Sequence, residues 1–226
     1  HLSRWLRLSE AFTRLNRPVV VVDLESTGGN LYQDRVTEIA FLRFENGRVE
    51  HYEQLINPGK PIPEFVVQLT GITNEMVAQA PAFGQIASDI LPLLRGALIV
   101  AHNSRFDYTF LRHEFCRAGI DFASPALCTV QLSRRLYPQF YKHNLDSIIR
   151  MGIQTDDRHR ALADVLALAD YLEHSLKEKT SDEWDNHCRA LMNPKILPTQ
   201  LSDSLTAKLY SLPDTVGVLV WFDHSG

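Results

Sequence analysis

Five residues in this chain combine types and spacings that could do chemistry: Asp23 and Glu25 in VVVVDLEST, Asp107 in AHNSRFDYTFL, and His159 with Asp164 in DRHRALADVLALAD. Each acid lies in or beside an apolar run, where an ionised carboxylate is costly unless something positive holds it. Residues two apart on a strand point the same way, so Asp23 and Glu25 present two carboxylates side by side at the end of one strand. A site built from carboxylates, without cysteine or clustered histidine, suits the hard cations Mg²⁺ and Mn²⁺ better than zinc. Two such ions about 3.5–4 Å apart can stabilise both the attacking and the leaving oxygen of a phosphodiester displacement. Asp107 and Asp164 would complete a four-carboxylate set, and His159 adds a group that titrates near neutrality and can take a proton from the attacking water. Singly, Asp-x-Glu or a histidine five residues before an aspartate is commonplace; the weight comes from three segments in order.

The elements needed to position these groups are legible around them. Residues 2–15 space Leu2, Trp5, Leu6, Leu8, Phe12 and Leu15 as an amphipathic helix with arginines between them, either packed on the domain or offering a basic strip to nucleic acid, the packed reading being favoured. Pro18 opens VVVVDLE, a β-branched run that reads as a buried strand ending in acids. TEIAFLRFENGRVEHYEQLINP gives two further strands joined at Asn46-Gly47, a strong hairpin signal. Short helices are expected over 63–77 around the Thr70-Gly71 turn, then a helix in PAFGQIASDILPLLRG, a strand in ALIVAHN and a helix over 106–118. The apolar pattern Leu162, Val165, Leu166, Ala169, Leu172 predicts a long helix after His159. Residues five apart on a helix diverge by about 140°, so His159 belongs on the loop or first turn and Asp164 in the helix body. The sum is an α/β domain, a mixed sheet flanked by helices, over residues 18–177 and preceded by the helix at 1–17.

Composition excludes several alternatives. With 226 residues and 45% hydrophobic content the chain can bury a full core. Three cysteines, Cys116, Cys128 and Cys188, lack metal-finger spacing, so reduced thiols and a cytoplasmic location are expected. No apolar run approaches the roughly 20 residues of a membrane span, and the first 17 residues, with four arginines, contain no signal-peptide core. A net charge of −4 argues against bulk electrostatic coating of nucleic acid but not against a nuclease, since bound cations would cancel the carboxylates locally.

DLEST, Leu69–Thr73 (LTGIT), HNSRFDYTFL and HRALAD together resemble the motifs of the DnaQ-like DEDDh exonuclease superfamily, in the right order and spacing over about residues 18–176. The resemblance implies a ribonuclease H-like fold and 3′-to-5′ hydrolysis of nucleic acid, with DNA favoured, to nucleoside monophosphates. Carried over position by position, it makes Asp23, Glu25, Asp107 and Asp164 the ligands of two Mg²⁺ or Mn²⁺ ions and His159 the general base. It also implies that Ser26, Thr27 and Gly28 meet the 3′-terminal nucleotide, with Asn103 and Phe106 lining the same pocket. Phe106, at helical spacing before Phe110, reads equally as core, and Asn103 as a turn or cap residue. Thr70 stands where some family members have a histidine, so that contact is not carried over. Single-stranded DNA or nucleic-acid 3′ ends are the expected partners, with association to a DNA polymerase a further implication; an exoribonuclease on short RNA and a non-catalytic nucleic-acid-binding module are the alternatives.

Beyond Lys177 the pattern turns polar and then meets Pro194 and Pro198, so residues 178–200 read as a linker. LPDTVGVLVWFD resembles the opening of the GIY-YIG nuclease domain of UvrC-type endonucleases, with Leu219 in place of the tyrosine, and residues 201–226 are expected to begin a truncated second domain.

Overall fold

The computed structural model describes residues 2–149 and 159–192. Its centre is a five-stranded sheet of β1 (Val19–Ser26), β2 (Val36–Glu45), β3 (Arg48–Leu55), β4 (Leu98–Ala101) and β5 (Ala126–Cys128), in the spatial order β3-β2-β1-β4-β5. The first three strands form an antiparallel meander, and β4 and β5 run parallel to β1. The β2–β3 turn has positive φ at both Asn46 (50°) and Gly47 (73°), the two-residue geometry whose twist matches flanking strands.

Around the sheet lie α1 (Leu6–Thr13), α2 (Glu64–Thr70), α3 (Asn74–Ala78), α4 (Phe83–Leu94), α5 (Ser104–Arg117), α6 (Thr129–Leu136), α7 (Leu145–Ile149), α8 (Ala161–Glu178) and α9 (Ser181–Leu191). The LTGIT segment is a helix-to-helix corner. Gly71, at φ 72°, ends α2, Ile72 is buried, and the Thr73 hydroxyl accepts the Met76 N–H to start α3.

The run of four valines is buried on both faces because the sheet is covered on both sides. Val19 and Val21 join a core with Ala40, Leu42, Leu98, Val100 and residues of α1, α6, α8 and α9. Val20, Val22 and Leu24 join a second core with Ile39, Phe41, Ile99 and residues of α4 and α5. Burying one such side chain is worth about 1.5–3 kcal/mol, so both faces anchor β1. The period of two then sends Asp23 and Glu25 to the α8 face, following Val19 and Val21.

The N-terminal helix packs on this domain, and its arginines are engaged. Arg4 pairs with Asp170 (2.6 Å), Arg14 with Asp185 (2.6 Å) and Arg7 with Glu173 (3.7 Å), on α8 and α9. The basic-strip alternative loses these three side chains to intramolecular pairs.

One expectation is corrected. Within residues 178–200, Ser181–Leu191 is a helix rather than a linker, capped by Thr180. Trp184 and Cys188 are buried in the α1–α8 core, with the indole N–H donating to Ser175 Oγ at 2.9 Å. Two apolar residues four apart in a polar segment suffice once a partner surface exists to cover them. The expected second domain at 201–226 lies outside the described residues.

Candidate active site

Three of the four acids converge. Ligand oxygens of Asp23 and Glu25, at the C-terminal end of β1, and Asp164, in the first turn of α8, lie within 4.8 Å of one another. Three carboxylates this close repel unless a cation or proton joins them, and an all-oxygen donor set fits a hard divalent ion. The residues therefore fit the cation that the sequence implies.

Asp107 arrives from the opposite face. It sits in the first turn of α5, 3% exposed, and its Oδ1 accepts the Leu24 N–H at 3.1 Å, between the two acids of β1. It stands beside the Asp23–Glu25–Asp164 group rather than within that mutual 4.8 Å set. Burial above all, and then the Asp164 charge, push its carboxyl up to about 8, against the opposing pull of the Leu24 N–H. In the absence of a cation the favoured form at neutral pH is protonated.

His159 occupies the turn immediately before α8, half-buried and at φ 67°, a left-handed conformation uncommon outside glycine and reached most readily by asparagine, aspartate and histidine. Asp164 follows it in the helix, so histidine and acid leave the same helix start from different turns. Asn103 shares this backbone strain at φ 75°, at the N-terminus of α5, and its exposed side chain makes no capping bond. Left-handed non-glycine residues cost of order 1–3 kcal/mol and cluster at functional sites.

The loop after β1 has a different logic. Thr27 is fully buried, and its hydroxyl donates to Asp34 Oδ1 (2.7 Å) and accepts the Arg35 N–H (3.1 Å). Asp34 also accepts from the Asn30 N–H and pairs with Lys60. A Cβ on Gly28 would lie 2.5 Å from Asp34 Oδ2, so any larger residue there would have to displace the Asp34 side chain. The Ser26 hydroxyl is turned to the Gly28 carbonyl at 2.6 Å. The Thr27 side chain is thus committed to the loop, which leaves backbone as what Thr27 and Gly28 can offer a ligand. Phe106 is partly buried and packs on the second core, its ring 4.7 Å from that of Phe110.

Two further residues of the site escape motif reading. Glu38, on β2 directly opposite Glu25, accepts from the Arg160 guanidinium at 2.7 Å and from the Ala161 N–H at 2.7 Å. Like-signed residues opposite each other in a sheet repel, and Arg160 supplies the countercharge. The available signal was an acid across from Glu25 in the strand alternation and an arginine next to His159.

A family model described as exonuclease matches residues 20–172, which takes in every one of these side chains. The chain belongs to the exonuclease family. This exonuclease domain is 39% identical over 149 residues to the 3′-5′ exonuclease DinG of Bacillus subtilis (strain 168), covering 64% of this chain and 16% of that protein. It is 39% identical over 160 residues to a DNA polymerase III subunit epsilon-like protein of Rhodobacter capsulatus, covering 67% of this chain and 22% of the relative. Over 180 residues it is 32% identical to the PolC-type DNA polymerase III of Clostridium perfringens, of which it spans 12%. These relatives are therefore much longer than the region they share with it.

Among solved structures, exonuclease X in complex with 5′ overhanging duplex DNA superposes with a TM-score of 0.56 at 26% identity, covering 75% of this chain and 99% of the other. Exonuclease I superposes with a TM-score of 0.67 at 21% identity, over 75% and 43% of the two chains. The exonuclease domain thus has the ribonuclease H-like fold expected of it. No helix among the described residues is long and apolar enough to cross a membrane.

Proposed function

We propose that this domain is a metal-dependent 3′-to-5′ exonuclease that removes nucleoside 5′-monophosphates from DNA. The observation that carries the reading is the convergence of the Asp23, Glu25 and Asp164 carboxylates at the end of β1, inside a domain of the exonuclease family. Asp23, Glu25, Asp107 and Asp164 would hold two Mg²⁺ or Mn²⁺ ions. When bound, such ions neutralise developing charge on the attacking and leaving oxygens and lower the pKa of water.

The chain's own groups supply the rest. Water attacks the phosphorus of the last phosphodiester, the bond from phosphorus to the neighbouring nucleotide's O3′ breaks, and the leaving oxygen ends as a 3′-hydroxyl. His159 is suited to accept the water proton, because an imidazole can act as a general base and this one leaves the chain two residues before α8, the helix that carries Asp164. The backbone of Ser26–Gly28, with Asn103 and Phe106, would seat the terminal nucleotide. DNA is favoured over RNA by the company the sequence keeps, polymerase III-type relatives and a DNA-bound exonuclease X. Association with a DNA polymerase fits the polymerase III-type relatives, and a cytoplasmic setting is proposed with it.

Digestion of a 3′-labelled single-stranded oligonucleotide with Mg²⁺ or Mn²⁺ tests the reading. Wild type should release mononucleotide, and Asp23→Ala should lose about 10³-fold or more, several kcal/mol of transition-state stabilisation. Equal behaviour of the two proteins would reject it, and matched DNA and RNA strands decide the sugar preference.

A further inference from the structure

We propose that Glu38 is a positioning residue for His159, acting through the Arg160–Ala161 start of α8. The proposal rests on the reading of His159 as the proton acceptor.

Three observations meet at this point. His159 holds a left-handed backbone conformation, which persists only where the surroundings over-determine it. The next residue, Arg160, is held by Glu38 through contacts from Nε at 3.2 Å to both carboxylate oxygens and from Nη2 at 2.7 Å to one. The residue after that, Ala161, donates its N–H to the same carboxylate at 2.7 Å in a buried setting. One side chain therefore fixes both the countercharge and the first helical N–H on the C-terminal side of the histidine.

Glu38 is 4% exposed and sits in the middle of a paired strand, so it cannot follow α8 if the helix start shifts. It lies directly across β1–β2 from Glu25, and the pairing register shifts immediately beyond Glu25. The same strand pair that carries the metal-binding acid thereby also sets where the histidine stands. Bonds to Arg160 and to the helix N-terminus leave the Glu38 carboxylate facing α8, so the residue acts through position rather than by touching substrate.

The test is a double-mutant cycle on kcat with the DNA substrate and Mn²⁺. Glu38→Gln should reduce kcat about 10- to 100-fold, the range expected when a catalytic group is displaced by about 1 Å, with KM unchanged. In a His159→Ala background the same substitution should cost nothing further, because the group it positions is gone. Arg160→Gln, which leaves Glu38 capping Ala161, should behave alike and carries the test if Glu38→Gln does not fold. Equal losses in both backgrounds, a raised Mn²⁺ requirement, or full activity of both variants would overturn the proposal. An inactive wild type would overturn the exonuclease reading as well, whereas an active wild type with additive losses overturns this proposal alone.

Discussion

At the C-terminal end of β1, carboxylates are gathered against carboxylates; at Glu38 of β2, Glu114 of α5 and Glu173 of α8 they are gathered against guanidinium groups. Glu114 is 2% exposed and bridges Arg35 (2.7 and 3.0 Å) and Arg117 (3.1 Å). Glu173 is buried against Arg7 and the first N–H groups of α1, and Glu38 against Arg160 and the first N–H of α8. The first region brings three carboxylates within 4.8 Å of one another, whereas in the second each acid is bonded to an arginine. A protein can keep a buried carboxylate by pairing it or by reserving it for a cation. Stability and catalysis should therefore respond in opposite senses to mutation of the two kinds.

The largest effect should come from the unlike member. Asp23→Asn keeps the shape of the side chain and removes one of three converging charges. We expect hydrolysis to fall about 10³-fold or more, while the melting temperature in EDTA stays level or rises. A variant that loses both activity and stability would place Asp23 with the structural acids instead.

The pH dependence of the metal-free protein separates the regions next. An ordinary aspartate titrates near 3.9, and burial pushes Asp107 up to about 8. Between these values the folded state holds a proton that the unfolded state has released. The associated stability is therefore fully present below about pH 4, declines as pH rises, and is lost above about pH 8. Melts in EDTA should show wild type losing stability relative to Asp107→Asn over that window, and Mn²⁺ should flatten the difference. A wild type that gains on Asp107→Asn with rising pH would mean a carboxylate already held in its charged form.

Much of this division was legible in the chain. The valine run, the Asn46-Gly47 turn and the periodic stretch after His159 are local patterns, and the structure realises them as β1, the β2–β3 hairpin and α8. The acids of β1 and α8 were readable because strand and helix periods fix which way they point. Glu38 was not, since an acid in VTEIAFLRFE reads as the solvent-facing member of an alternation until the opposite strand and α8 cover it. Nor was α9, whose polar sequence hides Trp184; its burial depends on Phe12, 6.2 Å away and 172 positions earlier. Thr27 and Gly28 divide between these cases. Their place beside the acids was evident, but their bond and close approach to Asp34 depend on how the loop folds back.

The smallest expected effect belongs to a paired acid well away from the chemistry. Glu173 lies nine residues along α8 from Asp164, about 14 Å at 1.5 Å per residue. Its carboxylate accepts from the Leu8 N–H at 2.7 Å and the Arg7 N–H at 3.3 Å, satisfying the open end of α1. Glu173→Ala should leave those donors unsatisfied and cost about 2 kcal/mol, read as a lower denaturation midpoint with the slope unchanged. Because Arg7 is half exposed, its ion pair adds little to that figure. The activity of the folded protein should stay at the wild-type level, since nothing between Glu173 and Asp164 needs to move. A fall in kcat at constant fold would mean that α1 helps to seat α8, and that the two ways of keeping a buried acid are coupled along one helix.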